Sequence, residues 1–203
     1  MTEQDKNNAH GYIEWAKHRL DEVDALIVHL EKLLAGVEKD AKEAAQKAVE
    51  DIREARDSLK TKFDMLQVDM SLLRAEARQT YESMEKEWGD IELAFHRFLA
   101  AVSEQANLFQ EVVAARAKTQ RAVLQAVAED TYKRVGAGIE DAQKEYEAAR
   151  KKLEAEVRQV EAFLDKTSVA GESSWKAVKA GMTDLQAAFE RIAKTLQETI
   201  KRK

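Results

Sequence analysis

The sequence predicts an all-α protein: an antiparallel helical bundle or coiled coil of about five helices, arranged as two three-helix units sharing one long central helix. Three observations carry that prediction. The 203-residue chain is 35% charged and 44% hydrophobic, with no proline and only seven glycines, so little in it stops a helix. Its apolar residues recur every three or four positions, the step that keeps side chains on one helix face. And the pattern is written twice.

Shifted by 94 positions without gaps, Ala45–Val102 lies over Ile139–Leu196, and fifteen apolar positions coincide. The pairs begin Ala45/Ile139, Ala48/Ala142, Ile52/Tyr146, Ala55/Ala149 and Leu59/Leu153, and continue through Phe63/Val157, Leu66/Val160 and Met70/Leu164. After a short lapse come Tyr81/Trp175, Met84/Val178, Trp88/Met182, Ile91/Leu185, Phe95/Phe189, Phe98/Ile192 and Val102/Leu196. The organisation this implies is a first helical repeat over residues 9–103 and a second over 104–203, joined through a continuous central helix.

The elements follow in order. Residues 1–8 read as a frayed end. From Tyr12 a first helix carries Ile13, Ala16, Leu20, Val23, Ile27, Leu30 and Leu34 in alternating steps of three and four, a seam that packs on another helix. Gly36 suits the position after a helix end and Asp40 the start of the next, so a hairpin is expected there. The second helix runs from about Asp40 toward Ala75, with Glu38/Lys42 and Glu43/Lys47 as solvated i,i+4 pairs.

Near Thr80 the two copies disagree. The later one has Val169-Ala-Gly-Glu-Ser-Ser at this place, a turn with its own capping residues; the earlier one has no breaker. The duplication favours a turn near Thr80, uninterrupted propensity favours a helix, and a turn is the expectation adopted. The third helix, from about Tyr81, meets nothing between Val102 and Asp130 that breaks it and is expected to run straight through to about Val135, roughly 80 Å of rod at about 1.5 Å per residue. Gly136-Ala-Gly138 breaks it. A fourth helix is expected over 139–166, with Glu140/Lys144, Glu147/Lys151 and Glu154/Arg158 on its wet side, and a fifth from Ser174 to the end.

Leu108–Ala128 is the most apolar stretch, with Leu108, Phe109, Val112, Val113, Val123, Leu124 and Val127 and six alanines spread over more than one face. Arg116, Lys118 and Arg121 in its middle argue against a transmembrane span. A helix this apolar is the hub of a bundle or a subunit interface. Tyr12 and Trp15 lie beside the first seam rather than on it; they are either a contact surface or covered by bundle packing. Tyr12, Trp15, Leu108, Phe109, Val112 and Val113 are therefore the candidate interaction surface. Trp88, Trp175, Phe95, Phe98 and Phe189 sit on the seams and read as core.

Catalytic chemistry finds little support. There are no cysteines, hence no disulfide, thiolate metal site or thiol nucleophile. None of the four histidines has the Glu-x-x-His spacing of di-iron bundles; His10, His18, His29 and His96 fall off the seams and read as solvated. No phosphate-binding glycine loop, nucleophile elbow or metalloprotease helix occurs. No catalytic residue, cofactor or metal is assigned. A net charge of −5 with both signs interspersed argues against nucleic acid, and Lys201-Arg202-Lys203 suits a helix C-terminus. The polar N-terminus has no apolar signal region, so a cytoplasmic address is expected.

Tyr12-Ile13-Glu14, Lys17, Leu20-Asp21-Glu22, Asp24-Ala25, Ile27 and Leu30 resemble the opening of short bacterial coiled-coil proteins described as apolipoprotein-like or stress-response helical proteins. Arg53–Leu66 and Glu145–Val160 resemble their second part. Trp175, Ala180-Gly181, Leu185 and Ala188-Phe189-Glu190 resemble their closing segment, of which the first copy keeps Tyr81, Trp88, Asp90, Ile91, Ala94 and Phe95. Residues 106–128 depart from the opening pattern. The resemblance implies a helical bundle without catalysis, here a tandem pair. Two functions are expected from these readings together. The first is a non-enzymatic structural or interaction protein, connected with stress, that binds protein partners or itself through helix faces. The alternative is reversible binding of amphipathic helices to a lipid or membrane surface.

Overall fold

A computed structural model describes residues 3–68 and 74–135, together with scattered positions between 147 and 191. Four long helices account for almost all of it: α1, Glu3–Leu33; α2, Lys39–Val68; α3, Arg74–Ala101; and α4, Ala106–Val135. No strand occurs among the described residues. The all-α expectation holds. The chain divides into two compact units at Val102–Ser103, with α1, α2 and α3 in the first and α4 in the second.

Helix α1 starts at Glu3, earlier than its polar composition suggests. It gives way to a single 3-10 turn, Leu34–Gly36, and the extended Val37 (φ −72°, ψ 129°), whose N–H donates to the Leu34 carbonyl at 3.3 Å. Val37 is buried, so an apolar side chain pins the turn while Gly36 lies exposed beside it. The Glu38 carbonyl then accepts the Ala41 N–H at 3.0 Å, and α2 begins with Asp40 in its first turn, where a carboxylate suits the positive end of the helix dipole.

The three helices of the first unit run up, down and up. Asp24 and Glu31 of α1 meet Arg56 and Arg53 of α2, so those two are antiparallel. Asp51 and Lys62 of α2 meet Arg97 and Glu87 of α3, with the same result. Arg56 grips Asp24 with two parallel bonds, Nε to Oδ1 at 2.6 Å and Nη2 to Oδ2 at 3.0 Å. The fork fixes the α1–α2 register, and these hydrogen bonds hold the guanidinium pKa above its ordinary value.

The core is the seam read from the sequence. In α1, Ala16, Leu20, Val23, Ile27 and Leu30 are buried; in α2, Ala45, Ala48, Ile52, Ala55, Leu59 and Leu66; in α3, Tyr81, Met84, Trp88, Ile91, Phe95 and Phe98. Each buried Leu, Ile or Phe of such a seam contributes about 1.5–3 kcal/mol through removal of apolar surface from water.

Two expected boundaries move. Gln79 and Thr80 lie inside α3, so no turn occurs there; the change from α2 to α3 falls within 69–73, outside the described residues. Neither alternative holds as expected: Thr80 is helical, yet no single helix runs through, since α2 and α3 are separate antiparallel helices. The central rod is also divided: α3 ends at Ala101, a turn occupies 102–104, and α4 starts at Ala106. The Val102 N–H still donates to the Phe98 carbonyl at 3.1 Å, and the Phe109 N–H to the Gln105 carbonyl at 2.9 Å. Both flanking helices are thus complete up to the turn. Of the expected fourth helix, scattered positions between 147 and 163 are described and are helical, Val160 among them and buried, and of the fifth only 187 and 191; the Gly136-Ala-Gly138 break and most second-copy seam residues lie outside the described residues.

Candidate interaction surface

The six residues singled out from the sequence do not form an open patch. Trp15 is 1% exposed and Tyr12 half-buried. Tyr81 of α3 explains both. Its ring stacks on Tyr12 (centroids 4.2 Å apart, 21° between planes) and meets Trp15 edge-on at 5.2 Å. Bundle packing therefore covers the pair, and Trp15 is not a surface aromatic. In α4, Phe109, Val112 and Val113 are buried and Leu108 half-buried. Those positions are covered and not free.

The burial of Trp15 belongs to a stripe that seam counting misses. Trp15, Arg19, Glu22 and Leu26 are all buried and stand four, three and four residues apart along α1, beside the seam. Helix α1 has neighbours on two sides, so it needs a wider buried sector than the single line of a two-stranded coil. The spacing was there to be read; two charged members disguised it. Arg19 Nη1 donates to Glu22 Oε2 at 2.6 Å, and the guanidinium lies over the Trp88 ring of α3, 4.3 Å from its centroid. A cation–π contact and an ion pair together hold a charge that has almost no solvent. Glu92 of α3 is buried as well.

Helix α4 has buried polar residues of its own: Arg116, Thr119 and Gln120. Thr119 Oγ1 donates to the Arg116 carbonyl at 2.9 Å, the usual way a hydroxyl is satisfied inside a helix. The Gln120 amide is enclosed with no hydrogen-bond partner for either its oxygen or its nitrogen. Lys118 and Arg121 point into solvent. Of the three cations in this stretch, only Arg116 is taken inside.

The histidines also need correction. His18 is 3% exposed rather than solvated, because it lies next to the buried stripe. His29 and His96 are half-buried; His29 shares its Nδ1 with the Ala25 carbonyl at 2.7 Å, and His96 lies 6.0 Å from Phe95, ring to ring. The side chain of His10 lies outside the described residues. No group of three or more metal-binding side chains converges among the described residues. No described helix is long and apolar enough to cross a membrane.

Among the described residues, the exposed large apolar side chains stand singly: Val28 on α1, Met65 on α2 and Leu93 on α3, each about half exposed or more. The class that the fold defines is an all-α helical bundle. Comparison with family models, with curated proteins and with solved structures returned no match.

Proposed function

We propose that this chain is a non-enzymatic helical-bundle protein that works by association, binding protein partners or its own copies through helix faces. One observation carries the reading: the element repeated within the chain is a packing surface. Fifteen apolar positions recur at a fixed offset, and in the first copy their described members, half-buried Phe63 excepted, are buried in the core. Duplication has preserved a helix-pairing face, with no set of reactive side chains repeated along with it. A link to stress and a cytoplasmic address, both expectations from the sequence, belong to the same proposal.

Sedimentation velocity over a hundredfold concentration range, followed by affinity capture from native cytosol, tests it. The expected result is a species heavier than one chain, formed with itself or with a saturable protein partner. A single-chain species at every concentration, with no saturable partner, overturns it. Flotation with liposomes separates the lipid alternative: recovery of the protein in the lipid fraction would favour amphipathic surface binding instead. The net charge of −5 opposes attraction to anionic lipid.

A further inference from the structure

Two of the four tyrosines in the chain meet face to face across α1 and α3, although the whole of α2 separates them in sequence. The rings of Tyr12 and Tyr81 stack with centroids 4.2 Å apart and 21° between their planes. Tyr81 is 3% exposed, and Trp15 meets its ring edge-on at 5.2 Å, whereas Tyr12 is half-buried. The Tyr81 hydroxyl donates to Glu85 Oε1 at 2.6 Å, one turn further along α3. Burial and that hydrogen bond keep the phenol protonated at neutral pH. A phenylalanine would fill the same space without a carboxylate beside a covered ring. What the hydroxyl and the carboxylate add is a route for a proton.

A phenol gives up an electron readily only when its proton leaves with it, because the oxidised phenol is a strong acid. Glu85 offers the acceptor within hydrogen-bond reach. A second phenol ring, the partner for the radical so formed, is already in contact. From this we infer that Tyr12 and Tyr81 are an oxidative cross-linking site, joined by a one-electron oxidant of the peroxide class into a dityrosine that ties α1 to α3. Each phenol loses one electron and one proton; the proton of Tyr81 passes to Glu85 Oε1 and that of Tyr12 to water. The two phenoxyl radicals join through ring carbons ortho to oxygen, and the hydrogen on each of those carbons moves to its own phenol oxygen. The O–O bond of one peroxide takes up both electrons and breaks. Closing the chain from residue 12 to residue 81 restricts the unfolded state, as a disulfide does, in a chain that has no cysteine. The link lies within one chain and stands apart from the association reading.

Illumination of the dilute full-length protein with tris(bipyridyl)ruthenium and persulfate, followed by tryptic digestion and mass spectrometry, tests it. Peptides 7–17 and 79–86 should appear joined, two hydrogen atoms lighter than their sum, from protein that runs as one chain under denaturing conditions. The linked protein should show dityrosine fluorescence and unfold at a higher temperature than the parent. Tyr12→Phe and Tyr81→Phe each keep the ring, and each should lose the joined peptides; the first also rules out Trp15, which lies in the same peptide, as the attachment point. Glu85→Gln still accepts the hydroxyl hydrogen bond but takes no proton, and should slow linking severalfold with circular dichroism unchanged. The inference is overturned if the two peptides are never found joined, or if they join as fast in urea as in the folded protein. It fails equally if Tyr132 or Tyr146 replaces either tyrosine in the main product, or if Glu85→Gln links at the parent rate.

Discussion

Helices α1 and α4 are nearly equal in length and each opens one of the two units, yet they handle buried polarity in opposite ways. In α1 the seam is wholly apolar, and the polar residues Arg19 and Glu22 lie on its flank, paired with each other and roofed by Trp88. In α4 the polar residues stand in the seam itself, at Arg116 and Thr119, with Gln120 at the next position. A polar flank leaves the hydrophobic contact continuous and adds a specific lock. A polar seam interrupts that contact, lowers its stability and restricts the partners and registers it accepts. The buried polarity of α1 therefore leaves its apolar contact unbroken, whereas that of α4 divides it.

The largest effect should come from breaking the lock in α1. Glu22→Ala removes the carboxylate 2.6 Å from a guanidinium that is 1% exposed, and the expected loss is about 3–5 kcal/mol of unfolding free energy in urea. Replacing Arg19 and Glu22 together by methionine and leucine should cost far less than Glu22→Ala alone, because neither member of the pair is then left buried without the other. Equal losses for the single and the double variant would show that the pair is no lock. Leu30→Ala, in the apolar seam of the same helix, should cost about 2–5 kcal/mol, set by how far the site collapses.

For α4 the sign should reverse. Gln120 buries both amide atoms without a hydrogen-bond partner, a situation worth about 1–3 kcal/mol of lost solvation. Gln120→Leu keeps much of the volume, removes that penalty and should raise stability by about that amount. Thermal unfolding of the two proteins side by side measures it. A destabilised Gln120→Leu would mean that the polar seam of α4 contributes to stability as the α1 flank does, and the contrast between the helices would collapse.

These contrasts also mark how far the sequence could be read. The seam was legible because burial follows a strict three-four rhythm and its members are apolar, as in Leu20, Ile52 and Phe95. The Arg19–Glu22 lock was not, since charged residues at helical spacing look the same whether water or tryptophan covers them. Trp15 and His18 were misplaced for the same reason: a single-line seam ignores the second neighbour of a bundle helix. The hairpin at Gly36 was legible from its local chemistry. The turn at 102–105 was missed because it contains neither glycine nor proline, and the turn expected at Thr80 was borrowed from a second copy whose corresponding residues differ. Of the candidate surface, the apolar face of α4 was placed on the right helix, while its polar centre carried no signal beyond Arg116.

Tyr81 offers the finest test of how firmly α1 is held. Its hydroxyl donates to Glu85 Oε1 at 2.6 Å while its ring is enclosed by Tyr12 and Trp15. Burial, and then the hydrogen bond to the carboxylate, push the phenol pKa well above its ordinary value. Below about pH 10 the phenol is protonated in both folded and unfolded chains and pH has no leverage through it. Above that, the unfolded chain releases the proton and the folded one retains it, so unfolding gains about 1.4 kcal/mol per pH unit. Tyr81→Phe should cost about 1 kcal/mol at neutral pH, through the lost hydrogen bond, and should flatten the alkaline slope of stability relative to the parent. Parallel slopes above pH 10 would mean that the phenol ionises freely in the folded protein. The contact between α1 and α3 would then open to water far more readily than its packing implies, and α1 would resemble α4 after all.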